Sequence, residues 1–346
     1  MLSGVNPAGP AARAKSRRSK LVDRTRMRQL IQQTPEQLTT TIADSGYKNE
    51  IDMYAGRFHG AELIEAALTH NLAKELRTVL GFCRGNIRRE VGVFADKFAY
   101  ENAKIVLRAV ANDIDIEEVV HSVLPEENET NKIWIDMIRN CNNVSEATEA
   151  MKNYPWYRTL SNISAEAPLS EYENALDFHY YAYALKAIGG GDSSMRVLRS
   201  YLKTVIDHRN VLKILEADEL GIPVEVREGV LIPGGSMISR RNISSASNYD
   251  VENLVELMKR SPRFDAAGFD EAMTQSRQLH TLDPVVIWLK KNEQTVLDRM
   301  CYLHPLSSLP IIHYLSAKVR EVQDLRLIVR GREAGLEPEL LEKYIL

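Results

Sequence analysis

The chain has 346 residues, 44% of them hydrophobic and 26% charged, with a formal net charge of −3. That length leaves room for two or three domains. The near-neutral balance excludes a strongly basic nucleic-acid binder and a heavily acidic disordered chain, but not a local basic face.

Cys83, Cys141 and Cys301 lie far apart with no CxxC pair, which fits a reducing cytosol better than a disulfide framework. No apolar run reaches the roughly 18 residues that a membrane-spanning helix needs. The N-terminus lacks the apolar core of a signal peptide. Any role at a membrane is therefore expected to be peripheral and on the cytoplasmic side.

In chain order, residues 1–11 are small and contain Pro and Gly, which predicts a disordered tail. From Arg13 to Arg28 there are eight basic residues (Arg13, Lys15, Arg17, Arg18, Lys20, Arg24, Arg26, Arg28) and one acid, Asp23. Helix signals dominate from there. Thr34-Pro35-Glu36-Gln37 combines an N-cap Thr, Pro at the first helical position and Gln placed for a capping box. Ser170-Glu171-Tyr172-Glu173 predicts a second capping box, and Asp283-Pro284 an N-cap followed by Pro. Apolar residues three and four apart (Leu63, Ala67; Leu72, Leu76; Leu176, Tyr180, Tyr183) suit helices with one buried stripe. Period-2 alternation is almost missing. Val224–Val230 alternates briefly, but its place in the repeat described next argues for helix or turn. The fold class is all-α.

Three windows align without gaps: 102–124, 210–232 and 324–346, at spacings of 108 and 114 residues. They open on Asn102, Asn210 and Asp324. Val106-Leu107, Ile214-Leu215 and Ile328-Val329 follow, then a small residue (Ala109, Ala217, Gly331). Next come Asp113, Gly221 and Gly335, each followed by an apolar residue (Ile114, Ile222, Leu336). A glutamate is shared at Glu117, Glu225 and Glu339, and the windows close on Val123-Leu124, Leu231-Ile232 and Ile345-Leu346. The pattern predicts a long helix ended by a left-handed residue, Asp113 being the costlier choice there. A short helix then folds back, with its glutamate near the favourable end of the dipole. The small residue lets a neighbouring helix approach. Asn102, Asn210 and Asp324 are expected to bond between neighbouring helices.

Loops separate the copies: acidic Leu124–Thr130, and Ile232–Asn248, rich in Gly, Ser and Asn. This divides the chain into a tail (1–11) and three helical domains, 12–124, 125–232 and 233–346. They are arranged either as a pseudo-threefold body or as a short curved array.

No catalytic, cofactor-binding or metal-ligating residues are assigned. Gly189-Gly190-Gly191-Asp192-Ser193-Ser194 lacks the Lys and the preceding strand of a phosphate-binding loop. There is no HExxH, no GxSxG and no GxGxxG after a strand. Of the eight histidines only His304 and His313 lie within ten residues of each other. Asp177-Phe178-His179-Tyr180-Tyr181 puts an acid, a His and tyrosines together, and on a helix Asp177 and Tyr181 would share a face suited to acid–base work. The plainer account is that the aromatic stripe there is core.

The repeat columns also resemble a family. Tyr314–Gly331, with Arg320-Glu321 followed by Asp324-Leu325-Arg326, resembles the C-terminal signature of the C subunit of archaeal A-type ATP synthases, a family that includes the d subunit of V-type ATPases. Asp324 stands where Asn is usual. Phe94–Ala109 resembles the family's first-domain helix, Glu173–Tyr181 its second-domain segment, and Ala12–Arg17 its basic N-terminus. The resemblance covers roughly residues 12–346. It implies a funnel-like, pseudo-threefold body of three similar helical domains on the cytoplasmic face of the cell membrane. The expected partners are the central-shaft subunits of D and F type and the membrane rotor ring of proteolipid subunits. It implies coupling of shaft to ring during ion-driven ATP synthesis or hydrolysis, with no reaction of its own, no cofactor, no small-molecule substrate and no nucleic acid.

On this reading the basic run Arg13–Arg28 meets acidic ring loops or anionic headgroups. Otherwise it forms a solvated helix face or an interdomain contact. The competing accounts are a helical-repeat adaptor of another assembly, and an all-helical enzyme centred on Asp177 and His179.

Overall fold

The computed structural model describes residues 6–122, 124, 128–189, 193–249, 251–261 and 264–345, and every regular element among them is helical. The N-terminal helices are α1 (Ala8–Arg18), α2 (Arg24–Ile31), α3 (Pro35–Ile42) and α4 (Lys48–Tyr54), with a π turn over Ala43–Tyr47. Then come α5 (Gly60–Phe82), α6 (Gly85–Ala111), α7 (Ile116–Ser122), α8 (Glu129–Asn140), α9 (Val144–Ala150), α10 (Tyr157–Leu160) and α11 (Leu169–Ala187). The remainder is α12 (Ser193–Glu219), α13 (Val224–Arg227), α14 (Ile243–Ala246), α15 (Val251–Lys259), α16 (Ala266–Leu279), α17 (Asp283–Leu303), α18 (Leu309–Glu333) and α19 (Pro338–Tyr344).

Several boundaries follow the sequence signals. Gln37 Oε1 accepts the Thr34 N–H at 3.2 Å, as the capping box requires. Val224–Val230 is α13 followed by a 3-10 turn. Others shift. α1 begins at Ala8, inside the stretch expected to be disordered, because Ala11 and Ala14, three apart, are buried and anchor it. Residues 1–5 of that tail lie outside the described residues, as do 125–127 of the first loop and 190–192 of the glycine run. α11 opens one residue before Ser170: the Glu171 N–H donates to the Pro168 carbonyl, so Ser170 sits in the first turn and does not cap it. Asp283 is likewise the first residue of α17, with Leu282 at the cap.

The repeat is visible in the elements themselves. α6, α12 and α18 end at equivalent positions, Ala111, Glu219 and Glu333, and the short helices α7, α13 and α19 start at equivalent positions, Ile116, Val224 and Pro338. Between them the backbone turns left-handed at Asp113 (φ 50°), Gly221 (φ 61°) and Gly335 (φ 73°). The amide of the next residue closes each turn on the small residue's carbonyl: Ile114 to Ala109 at 2.9 Å, Ile222 to Ala217 at 2.8 Å and Leu336 to Gly331 at 2.8 Å. That is the Schellman closure the pattern predicts. In the third copy the small residue makes room for that copy's own short helix: a Cβ on Gly331 would lie 2.3 Å from Leu341 Cδ2 of α19.

The chain forms two compact units, Met1–Leu176 with Pro310–Ile345, and Asp177–Leu309. The first has one core under α2–α5, built on Leu30, Ile31, Leu38, Ile42, Tyr54, Phe58 and Leu68. A second aromatic cluster joins Tyr100 to Trp156 (ring centroids 4.3 Å apart), Trp156 to Tyr154 (4.8 Å) and Tyr154 to Trp134 (4.9 Å).

The core of the second unit lies between α12, α15, α16 and α17. It includes Val211, Ile214, Leu254, Met258, Phe269, Val285 and Leu289, with Phe264 and Trp288 edge to face at 4.9 Å. Buried polar groups fix the loop after α13 onto α12. Asn210 donates Nδ2–H to the Ile232 carbonyl at 2.8 Å and accepts the Ile232 N–H at 2.7 Å. The partner of Asn210 is therefore this loop and not a neighbouring helix. Asp207 accepts the N–H groups of Ser236 (2.9 Å), Met237 (3.0 Å) and Ile238 (2.9 Å). Gly235 is required there, since a Cβ would lie 2.1 Å from Asp207 Oδ1. The Ile232–Asn248 loop thus has a fixed base. Next to Asp207, His208 is 4% exposed, with Asn292 Nδ2 3.1 Å from its Nε2. Burial pushes its pKa down to about 4, only partly opposed by Glu293.

Three outcomes follow. Asp113→Gly is expected to stabilise the chain by about 1 kcal/mol, and Gly335→Ala to destabilise it by about as much, in thermal or urea unfolding. Asn210→Ala strands two buried backbone groups and is expected to cost about 2–4 kcal/mol in the same assay. His208 is neutral when folded, and its unfolded form takes up a proton below about pH 6.5. Its contribution is therefore complete above that pH and is lost as pH falls toward 4, amounting to roughly 3 kcal/mol. Melts of His208→Gln should show a flatter pH dependence than the parent across that window.

Candidate interaction surface

Two features of the first unit stand out as surfaces, a basic run on α1 and α2 and a cleft lined from α1, α5 and α18. α1 turns Ala11 and Ala14 inward, so its charges fall on the other side. Part of the basic run is engaged within the unit. Arg17 Nη1 donates to both oxygens of Glu75, at 2.7 and 2.9 Å. The Arg13 guanidinium lies 5.7 Å from the Phe82 ring centroid. Arg28 pairs with Glu342 of α19 at 2.6 Å, both side chains half exposed, a contact of little energetic weight. Lys15, Lys20 and Arg24 remain exposed. The run is thus both an internal fastening and a charged face.

Beneath it lies a cleft of about 760 Å³, lined among others by Arg13, Arg17, Lys20, Glu75, Lys318 and Glu321. Its floor is a buried polar cluster. Lys318 Nζ donates to Tyr47 Oη at 2.8 Å, and the Tyr47 hydroxyl donates to Glu321 Oε1 at 2.9 Å. Lys318 Nζ stands 3.7 Å from Glu321 Oε2. Burial depresses the Lys318 pKa, against the pull of Glu321, and raises that of Glu321, against the pull of Lys318. Burial, with Glu321 nearby, also raises the Tyr47 pKa, so the phenol stays a proton donor. A buried ion pair of this kind adds little net stability but is intolerant of misalignment.

The cluster belongs to a longer seam in which α18 runs antiparallel to α5. Tyr314 Oη donates to Glu75 at 2.6 Å, Arg326 bonds Thr69, and Arg330 grips Glu65 through both oxygens, one at 2.7 Å. Burial and the Glu75 bond raise the Tyr314 pKa, while the bond to Glu65 raises that of Arg330. No local spacing announces these pairs, whose members are 239 to 265 residues apart. The only sequence hint is that Glu321 and Arg326 lie in the C-terminal run with the family resemblance.

Each of the three turns between a long and a short helix also carries exposed apolar residues, two of the turns in the first unit and one in the second. Ile114, Leu220, Val226, Leu336 and Leu340 are exposed there. They stand among exposed carboxylates: Asp113, Asp115 and Glu117; Asp218, Glu219 and Glu225; Glu337 and Glu339.

The residues weighed for chemistry fall elsewhere. Tyr172, Leu176, Tyr180, Tyr181 and Ala184 of α11 are buried, with Tyr180 and Tyr181 edge to face at 5.0 Å, so the aromatic stripe is core. Asp177 and His179 are half-buried on the same helix and hold partners of their own. His304 is exposed and His313 buried. Among the described residues no group of three His, Cys, Asp or Glu side chains could hold a metal ion, and no helix is long and apolar enough to cross a membrane.

The chain matches the family described as ATP synthase (C/AC39) subunit over residues 10–344. It is 27% identical to the C subunit of the A-type ATP synthase of Haloquadratum walsbyi, across 100% of this chain and 99% of that one. Identity to the A-type ATP synthase C subunit of Haloferax volcanii is 28%, across 99% of this chain and 98% of the relative. For the protein of that name in Methanosarcina mazei it is 25%, across 99% and 93%. The repeat columns, the run around Asp324 and this end-to-end match agree that the chain belongs to the ATP synthase (C/AC39) subunit family.

Proposed function

We propose that the chain is the non-catalytic central-stalk subunit of a rotary A-type ATP synthase, lying peripherally on the cytoplasmic face of the cell membrane. It joins the D- and F-type shaft subunits to the proteolipid rotor ring and passes torque between ion flow and ATP synthesis or hydrolysis. On this reading its three segments, 12–124, 125–232 and 233–346, are similar domains around a pseudo-threefold funnel.

The observation that carries the proposal is the same hydrogen-bonded turn at Asp113, Gly221 and Gly335, on three long helices of 25 to 27 residues. A torque adaptor must be stiff. Long packed helices with closed ends resist bending, and the α5–α18 seam ties the chain's last long helix to its first unit. The three turns, alike in backbone and each acidic and apolar at its tip, supply several similar contact points. That suits a ring of identical subunits better than a single fixed partner would.

The test is a tagged copy replacing the native chain in cells. The shaft subunits and ring are expected to co-purify with it. Removing the chain should abolish ion-driven ATP synthesis while the soluble head still hydrolyses ATP. Recovery of a different, stable set of partners would instead identify an adaptor of another assembly. Within the assembled enzyme, Glu75→Ala frees Arg17 and Tyr314 together. It is expected to destabilise the chain by about 2 kcal/mol and to lower synthesis more than hydrolysis.

A further inference from the structure

We propose that the turn between α17 and α18, residues 302–306, is a lipid-contacting tip that rests in the interface of an anionic membrane. Tyr302 is 85% exposed, Leu303 59% and Leu306 70%. Three large apolar side chains within five residues cannot hide by local collapse, because the turn is held at both ends. The His304 N–H donates to the Met300 carbonyl at 3.0 Å, Ser307 Oγ–H to the His304 carbonyl at 2.7 Å, and the Leu309 N–H to Ser307 Oγ at 3.2 Å. Ser307, Ser308 and Leu309 are buried beneath it.

Charge selects the occupant. From Arg299 to Arg320 the chain carries no Asp or Glu. The tip is preceded by exposed Arg299 and carries the exposed polar side chain of His304, while Asp298, the carboxylate just before, is half-buried with a partner of its own. The exposed apolar residues at Ile114, Leu220, Val226 and Leu336 stand instead among exposed carboxylates. Anionic headgroups repel that surround and attract the other. A tyrosine beside leucines, with the Arg299 guanidinium next to them, matches the amphipathic layer of a bilayer surface: rings and hydroxyls at headgroup level, leucines dipping below. One such tip holds weakly by itself, as suits a second anchor on a body held by other contacts. The inference goes beyond the proposed coupling role and stands whether or not the chain grips a rotor.

The test uses the full chain and sedimentable vesicles of equal parts phosphatidylcholine and phosphatidylglycerol, with pure phosphatidylcholine vesicles alongside, at low salt. Weak binding to the anionic vesicles is expected. It should drop roughly tenfold or more in Leu303→Ser/Leu306→Ser and be unchanged in Leu220→Ser/Val226→Ser. These side chains are on the surface, so circular dichroism should match the parent. Leu303→Trp should show blue-shifted fluorescence that brominated lipid quenches. Failure of the full chain to bind, binding that survives loss of both leucines, or an indole signal from the Leu303→Trp variant that brominated lipid leaves untouched overturns the proposal. The co-purification above tests the coupling role separately.

Discussion

The constraint on which the architecture rests is the ending of each long helix. A helix that stops leaves carbonyls without donors. Here the last turn is closed from outside by an amide one residue past a left-handed position. The closure fixes the direction in which the chain leaves, and in the third copy it brings Leu341 of the short helix against Gly331 of the long one. The direction is repeated at Ile114, Ile222 and Leu336 with bonds of 2.8 to 2.9 Å. Gly331 shows how tight the fold-back is, because its place against Leu341 has no room for a methyl group. Asp113 shows that the geometry is kept even where an L-residue must accept φ of 50°.

Much of this was legible in the sequence because it is local. The left-handed position, the apolar residue after it and the shared glutamate fall within one window, and the physics that reads them is that of a single helix end. All-α character followed from the capping signals and the 3.6-residue spacing. Helix starts were legible only to within a residue, as Ser170 and Asp283 show, because Pro168 and Leu282 can serve as boundaries equally well. α1 was missed because Gly9 and Pro10 look like coil, and only the burial of Ala11 and Ala14 makes helix worthwhile. The α5–α18 seam was out of reach altogether. Glu65, Glu75, Arg330 and Tyr314 look like ordinary surface residues until residues more than two hundred positions away are brought beside them.

The polar interior is concentrated in a few places, and each fixes a relation between elements. In the first unit the buried side chains of Lys318, Tyr47 and Glu321 bond one another, so a slip of α18 would break several bonds at once. In the second unit Asp207 and Asn210, three residues apart on α12, hold successive parts of the loop that leaves α13. Such groups contribute less to stability than their number suggests, since desolvation opposes the pairing. Their effect is to make one register much better than its neighbours, which is the property that the proposed coupling role would need.

That rigidity is open to direct measurement. Native-state hydrogen exchange read at single amides reports whether the closing bonds at Ile114, Ile222 and Leu336 open locally or only with their helices. The account requires all three amides to be protected to about the level of the helix interiors that precede them. Fast exchange at these positions, with the helices themselves protected, would show that the turns are loose hinges and would contradict it.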